Sequence, residues 1–170
     1  MAFSTLRTLF RKYPLISNMV VCSSLYAGGD VCQQVIRRVD EYDLKGTRSI
    51  AIVTFSAQGP LYYYWYKLLD RMLPGTAIRS VIPKVFIDQF LIAPPSLFVF
   101  FTGTSILDGK EDIYKDFKEK AMPAFVSGCV FWGVAQSVNF LLVPGHMRTV
   151  YVSAMAFVWS NILCFIKSNE

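Results

Sequence analysis

Five stretches of this chain carry no Asp, Glu, Lys or Arg: Tyr13 to Gly29, Ser49 to Tyr66, Gln89 to Leu107, Ala121 to Met147 and Thr149 to Ile166. Each is roughly 17 to 27 residues long, enough for a helix to cross about 30 Å of hydrocarbon. In lipid the backbone must satisfy its own hydrogen bonds, which restricts a spanning segment to a helix or a closed barrel. With 54% hydrophobic residues, 17% charged residues and a mean hydropathy of +0.39, the 170-residue chain is too apolar for an ordinary soluble domain. A large soluble core of buried helices is the competing reading. The pattern predicts an all-α, multi-pass transmembrane bundle of four to five membrane-length helices, folded as a single integral-membrane domain over residues 1–170. Span number is the open point, because only the VPGHMR region separates the last two tracts.

The charge lies between the tracts. Val39 to Arg48, Asp70 to Lys84 and Asp108 to Lys120 read as connectors, the second broken by Pro74, Gly75 and Pro83. The third, residues 108–120, sets Ile113, Tyr114, Phe117 and Ala121 on one helical face, with Glu111 to Lys115 and Asp116 to Lys120 as opposite charges at i,i+4. A short amphipathic helix at the membrane surface fits this segment, as does a solvated linker helix. Across five spans, one side would hold Arg7, Arg11, Lys12, Lys67, Arg71, Arg79, Lys84 and Arg148. The other would hold Arg37, Arg38, Lys45, Arg48, Lys110, Lys115, Lys118, Lys120 and Lys167. The two sides are nearly balanced, so the positive-inside rule gives no orientation.

A net charge of +5 does not point to nucleic acid, since the basic residues are spread over every connector and no binding motif accompanies them. The basic N-terminal segment 1–12, with Arg7, Arg11 and Lys12 and no acid before Asp30, reads equally as an organellar targeting segment or as a flank of the first span. Cys22, Cys32, Cys129 and Cys164 lack C-x-x-C spacing and read as packing residues; His146 has no partner at metal or triad spacing. Phosphate-loop, nucleophile-elbow and zinc-protease motifs are missing. No catalytic residue, metal or cofactor is therefore expected, and the chain does not read as an enzyme.

The informative residues are the polar minority inside the apolar tracts. Trp132, Gln136, Asn139 and Val143 fall on one helical stripe, while small residues at Ser127, Gly128, Gly133 and Ala135 allow close approach of a neighbour. Asp30 precedes Gln33 and Gln34 by one turn, and Lys84 precedes Asp88 by one turn, with Gln89 next to it. Polar and ionisable groups at membrane depth normally face the bundle interior, water or a partner. Asp30, Gln34, Lys84, Asp88, Gln89, Gln136 and Asn139 are accordingly expected to line a pore or to clamp helices together. Lys84 and Asp88 are expected to pair with each other. Pro144 should stop a helix near the interface, and Arg148 should snorkel to headgroups or cap the freed carbonyls.

These residues also carry a resemblance. GGDVCQQ (Gly28 to Gln34), GPLYYYWYKLLD (Gly59 to Asp70), KVFIDQFLIAP (Lys84 to Pro94) and WGVAQSVNFLLVPGHMR (Trp132 to Arg148) resemble, in order and spacing, motifs of the Mpv-seventeen family of organellar membrane proteins. The most specific, W-x-x-x-Q-x-x-N-F-x-x-V-P-x-x-x-R, is matched by Trp132, Gln136, Asn139, Phe140, Val143, Pro144 and Arg148. Trp65 and Pro94 lie in the other motifs. The resemblance runs from about Tyr13 to Ile166 and is strongest to the branch called Mpv-seventeen-like. It departs at Gly133, where many members have Pro, and at Tyr63, where many have His. The resemblance implies the peroxisomal membrane, or alternatively the mitochondrial inner membrane. It also implies a part in reactive oxygen species metabolism and protection from oxidative stress, through a weakly selective small-solute channel or through a non-conducting scaffold. The partners expected are the lipid bilayer and, beyond it, a second copy of the chain or a protein that sequence does not identify.

Overall fold

A computed structural model describes residues 12–168, with the side chains of Ser160 and of residues 162–168 left aside. The basic segment at residues 1–11 and the side chain of Cys164 lie outside what is described. Among the described residues there is no strand. Five helices account for the five tracts. Helix α1 is Pro14–Ile36, and its first turn begins at the proline, whose missing N–H costs nothing there. Helix α2 covers 44–72 as Leu44–Val53, a π-helical turn Thr54–Gln58 and Gly59–Met72. The Asp43 carboxylate caps it by accepting the Gly46 N–H at 2.8 Å. Helix α3, Ile78–Asp108, has a similar π-helical turn at Asp88–Ile92. It ends at Gly109 with φ 73°, where the Gly109 and Lys110 N–H groups bond back to Ile106 and Ser105. Helix α4 is Lys115–Leu142 and α5 is Arg148–Ser168, joined through Pro144 and a 3₁₀ turn at Gly145–Met147.

The two π-helical turns have one chemical cause. Pro60 follows the first, and Pro94 and Pro95 follow the second. These prolines withhold an N–H from the carbonyls of Ser56, Phe90 and Leu91. Widening by one residue lets Gly59 N–H reach Thr54 and Ala93 N–H reach Asp88, so each helix continues through the interruption. The charged connector contributes its helical part to α4. Lys115 to Lys120 form the amphipathic first turns of that long helix rather than a separate one. Asp116 pairs with Lys120 at 2.8 Å as its spacing predicts, whereas Glu111 precedes the helix and the Glu111–Lys115 pair does not form.

Neighbouring helices pack in chain order, and α5 closes the ring against α1. The distribution of side chains is inverted relative to a soluble protein. Ile78, Ile82, Phe86 and Phe90 form one exposed apolar ridge at i,i+4, and Met122, Val126, Val130 and Val134 form another. Val130 is 80% exposed, while Asn139 is 0% exposed. Placing such ridges in water costs roughly 25 cal/mol per Å² of apolar surface. A hydrocarbon surround removes that cost. Three of the helices, Pro14–Ile36, Ile78–Asp108 and Lys115–Leu142, are long and apolar enough to cross a membrane among the described residues. The fold is the expected all-helical membrane bundle.

Candidate functional site

The ring of helices encloses a cavity of about 810 Å³. Tyr26, Asp30, Gln33 and Arg37 from α1 line it, as do Gln58 and Tyr62 from α2 and Asp88, Gln89 and Ser96 from α3. Helix α4 adds Glu119, Lys120, Gly128, Trp132 and Gln136, and α5 adds Val152, Phe157 and Trp159. Arg37, at the C-terminal end of α1, and Glu119 and Lys120, near the N-terminal end of α4, all line the cavity and mark a charged mouth. Deeper, the wall is aromatic, with Phe100 and Phe101 joining Tyr26, Trp132 and Phe157. The floor is polar.

Asp88 is the centre of that floor and is 4% exposed. The Trp65 indole N–H donates to its Oδ1 at 2.8 Å, and the Gln136 amide donates to its Oδ2 at 2.7 Å. The same Gln136 nitrogen lies 2.9 Å from the Tyr66 hydroxyl. Tyr66 stacks on Tyr62, with ring centroids 5.8 Å apart. The Tyr62 hydroxyl donates to Ser96 Oγ at 2.9 Å, and the Gln58 amide donates to the Ser96 carbonyl at 3.3 Å. One polar sheet of side chains thus crosses the bundle from α2 through α3 to α4. Both π-helical turns feed it, since Gln58 closes the first and Asp88 opens the second. Among the described residues no Lys, Arg or His forms an ion pair with Asp88.

The expected Lys84–Asp88 pair is not formed. Although one turn apart, the two point into different layers: Lys84 Nζ binds Asp70 Oδ1 at 2.9 Å and the Gly75 carbonyl at 3.1 Å. Arg148 binds the same Asp70 oxygen. Lys84 and Arg148 are 1% and 3% exposed, and both cations lie over the Phe140 ring, at 5.6 and 5.1 Å from its centroid. The pairing therefore goes across the bundle, because a longer reach brings a carboxylate, a carbonyl and an aromatic face together. The Arg148 side chain also caps the Val143 carbonyl at 3.3 Å, one of its two expected roles, but it does so buried and not at a headgroup surface. The cavity does not reach this layer, which underlies its floor.

The remaining expected residues divide between the two roles. Asp30 Oδ2 accepts from Gln34 at 2.8 Å and from Thr47 at 2.5 Å, and Gln34 Oε1 accepts the Asp43 N–H at 2.7 Å. Both residues clamp α1 to the start of α2, and Asp30 also borders the mouth. Gln89 lines the cavity and donates to the Cys129 carbonyl at 3.1 Å, a clamp between α3 and α4. Trp132 forms wall, Pro94 follows the second π-helical turn, and Pro144 begins the turn into α5. Asn139 does neither job: it is absent from the cavity wall and its amide donates to Gln136 Oε1 on its own helix at 2.8 Å, holding that amide toward Asp88.

Sequence reasoning passed over Asp70, Gln58, Tyr62, Tyr66 and Ser96. Gln58, Tyr62, Trp65 and Tyr66 lie within two turns of one helix inside a charge-free tract, the same signal that drew attention to Gln136. Asp70 closes the GPLYYYWYKLLD motif but lacked that signal, because it sits at the edge of a connector. The cysteines are free at Cys22, Cys32 and Cys129. The described residues contain no group of three His, Cys, Asp or Glu able to hold a metal ion.

Comparison with known proteins places this architecture. Residues 105–164 match the Mpv17 / PMP22 family. Across nearly the whole chain there is 34% identity to Mpv17-like protein of Xenopus laevis over 162 residues, covering 94% of this chain and 80% of that protein. Mpv17-like protein of Bos taurus is 38% identical over 158 residues, covering 93% and 80%. Mitochondrial inner membrane protein Mpv17 of Xenopus laevis is 29% identical over 167 residues, covering 95% and 94%. No solved structure matches the chain.

Proposed function

The chain belongs to the Mpv17 / PMP22 family, and from that premise we propose that it is a non-catalytic conduit for small solutes in an organellar membrane. One observation carries this reading: a cavity of about 810 Å³, floored by hydrogen-bonding side chains, inside a bundle whose outer ridges are apolar. A purely structural bundle gains nothing from such a space, since packing to interior density is worth more than leaving it open. The volume falls within the range of small-molecule sites, about 300–1,000 Å³. The layer of Lys84, Asp70 and Arg148 below the floor then acts as the closed gate of the pathway. We propose the peroxisomal membrane as its location, following the resemblance to the Mpv-seventeen-like branch, with the mitochondrial inner membrane named for a relative as the alternative. The same reading gives a role in oxidative-stress protection, by exchanging small metabolites between compartments.

The test is conductance and solute flux of the purified full-length protein in planar bilayers and liposomes. Flux that falls when Ala156→Trp fills part of the cavity, with the melting temperature kept, supports the conduit. A folded protein with neither conductance nor flux leaves the scaffold reading, in which the clamps at Asp30, Gln34 and Gln89 are the whole purpose of the polar residues.

A further inference from the structure

The proposed conduit leaves open what its cavity recognises, and four observations narrow the chemistry. Asp88 lines the cavity at 4% exposure and receives only neutral donors, the Trp65 and Gln136 N–H groups. A buried carboxylate without a cation is costly, by several kcal/mol per ion in real proteins. Gln58, also 4% exposed and lining the cavity, uses its nitrogen on Ser96 but leaves Oε1 without a partner. The floor therefore holds a carboxylate met only by neutral donors and one acceptor, Gln58 Oε1, met by none. Above it, Tyr26, Phe100, Trp132 and Phe157 present aromatic wall. Ring faces attract cations, most strongly where water is excluded. The mouth selects no sign, because Asp30 and Glu119 are matched by Arg37 and Lys120.

We propose that the cavity binds a small organic cation, a primary ammonium seated between the aromatic wall and Asp88, with one N–H donated to Gln58 Oε1. This rests on the conduit reading for its access route. A bare metal ion suits the floor poorly: one carboxylate and a wall of rings do not supply the oxygen ligands that a hard cation takes. An ammonium on a short carbon stem uses all three components, charge on Asp88, N–H on the orphan acceptor and methylenes on the rings. A quaternary ammonium keeps the charge and the ring contacts but has no N–H for Gln58.

The experiment follows binding to the full-length protein in lipid nanodiscs, through the fluorescence of Trp65, Trp132 and Trp159, with n-butylammonium, tetramethylammonium, potassium, butanol and butyrate as probes. The expected result is saturable binding of n-butylammonium, at least tenfold tighter than butanol or butyrate. Asp88→Asn should weaken both ammonium probes tenfold or more. Gln58→Leu should weaken n-butylammonium about threefold to tenfold and leave tetramethylammonium unchanged. Should Asp88→Asn fail to fold, the Gln58→Leu comparison and the charge series on wild type still decide. Binding of butanol or butyrate equal to n-butylammonium, or displacement by potassium at equal concentration, overturns the assignment. A protein that conducts yet binds no ammonium probe refutes this inference and leaves the conduit standing. A protein that binds n-butylammonium but passes nothing across a bilayer refutes the conduit and leaves the site.

Discussion

At the residue scale, the buried charges separate into two layers with opposite needs. Asp70 serves two cations, so its loss is more harmful than the loss of either of them. Asp70→Asn strands Lys84 and Arg148, which are 1% and 3% exposed, and should cost about 3 kcal/mol, the lower end for breaking a buried pair because Asp70 itself is 33% exposed. Lys84→Met leaves the Arg148–Asp70 pair neutral and should cost clearly less. Melting temperatures of both variants in one detergent check the order, and a Lys84→Met protein less stable than Asp70→Asn refutes it. In the floor, Gln136→Leu removes donors to Asp88 and Tyr66 and should cost about 2 kcal/mol or more, since buried polar groups lose their partners. Asn139→Leu should cost no more than about 1 kcal/mol and leave conductance near wild type. Asn139 Oδ1 is already without a partner, so removing the amide loses one bond and also relieves one orphan.

At the element scale, close approach of helix backbones decides which glycines matter. A Cβ on Gly59 would come within 3.1 Å of the Thr54 carbonyl and 3.2 Å of Met19 Cα, so backbone would have to move. A Cβ on Gly28 would meet only the Phe157 ring, at 4.0 Å. Gly59→Ala should therefore destabilise by about 1–3 kcal/mol, as overpacking does, while Gly28→Ala stays within a few tenths of wild type. Thermal unfolding of the two variants side by side measures the difference. In sequence Gly59 was visible only as the first residue of the GPLYYYWYKLLD motif. Its contact with α1 depends on the π-helical turn before it, which turns that face by the one residue a regular helix would not add.

At the scale of the whole molecule, exposure and accessibility to water part company. Val130 is 80% exposed in the isolated chain, yet its ridge faces lipid; Lys120, at the mouth, faces water. In a background with the native cysteines replaced by Ala, Val130→Cys in proteoliposomes should react with a membrane-impermeant maleimide at least tenfold more slowly than Lys120→Cys. Equal rates would show that this face is not embedded in lipid. The sequence by itself determined that the chain is helical and which solvent surrounds it, because charge-free length and hydropathy act locally along the chain; it left the number of spans open and took Pro83 for a break in a connector, where the structure carries it inside α3. It also picked Asp88, Gln89, Gln136 and Trp132 as interior residues, since a polar group in an apolar tract has few places to go. Only the tertiary structure decided who meets whom: Lys84 passes over Asp88 for Asp70, Asn139 supports Gln136 instead of facing the cavity, and Gln58 joins the floor from another helix. Hydrogen bonds and ion pairs are settled over about 3 Å, and beyond the pairs within one helix, such as Asp116–Lys120 and Asn139–Gln136, the turns and crossings of the helices set those distances in three dimensions.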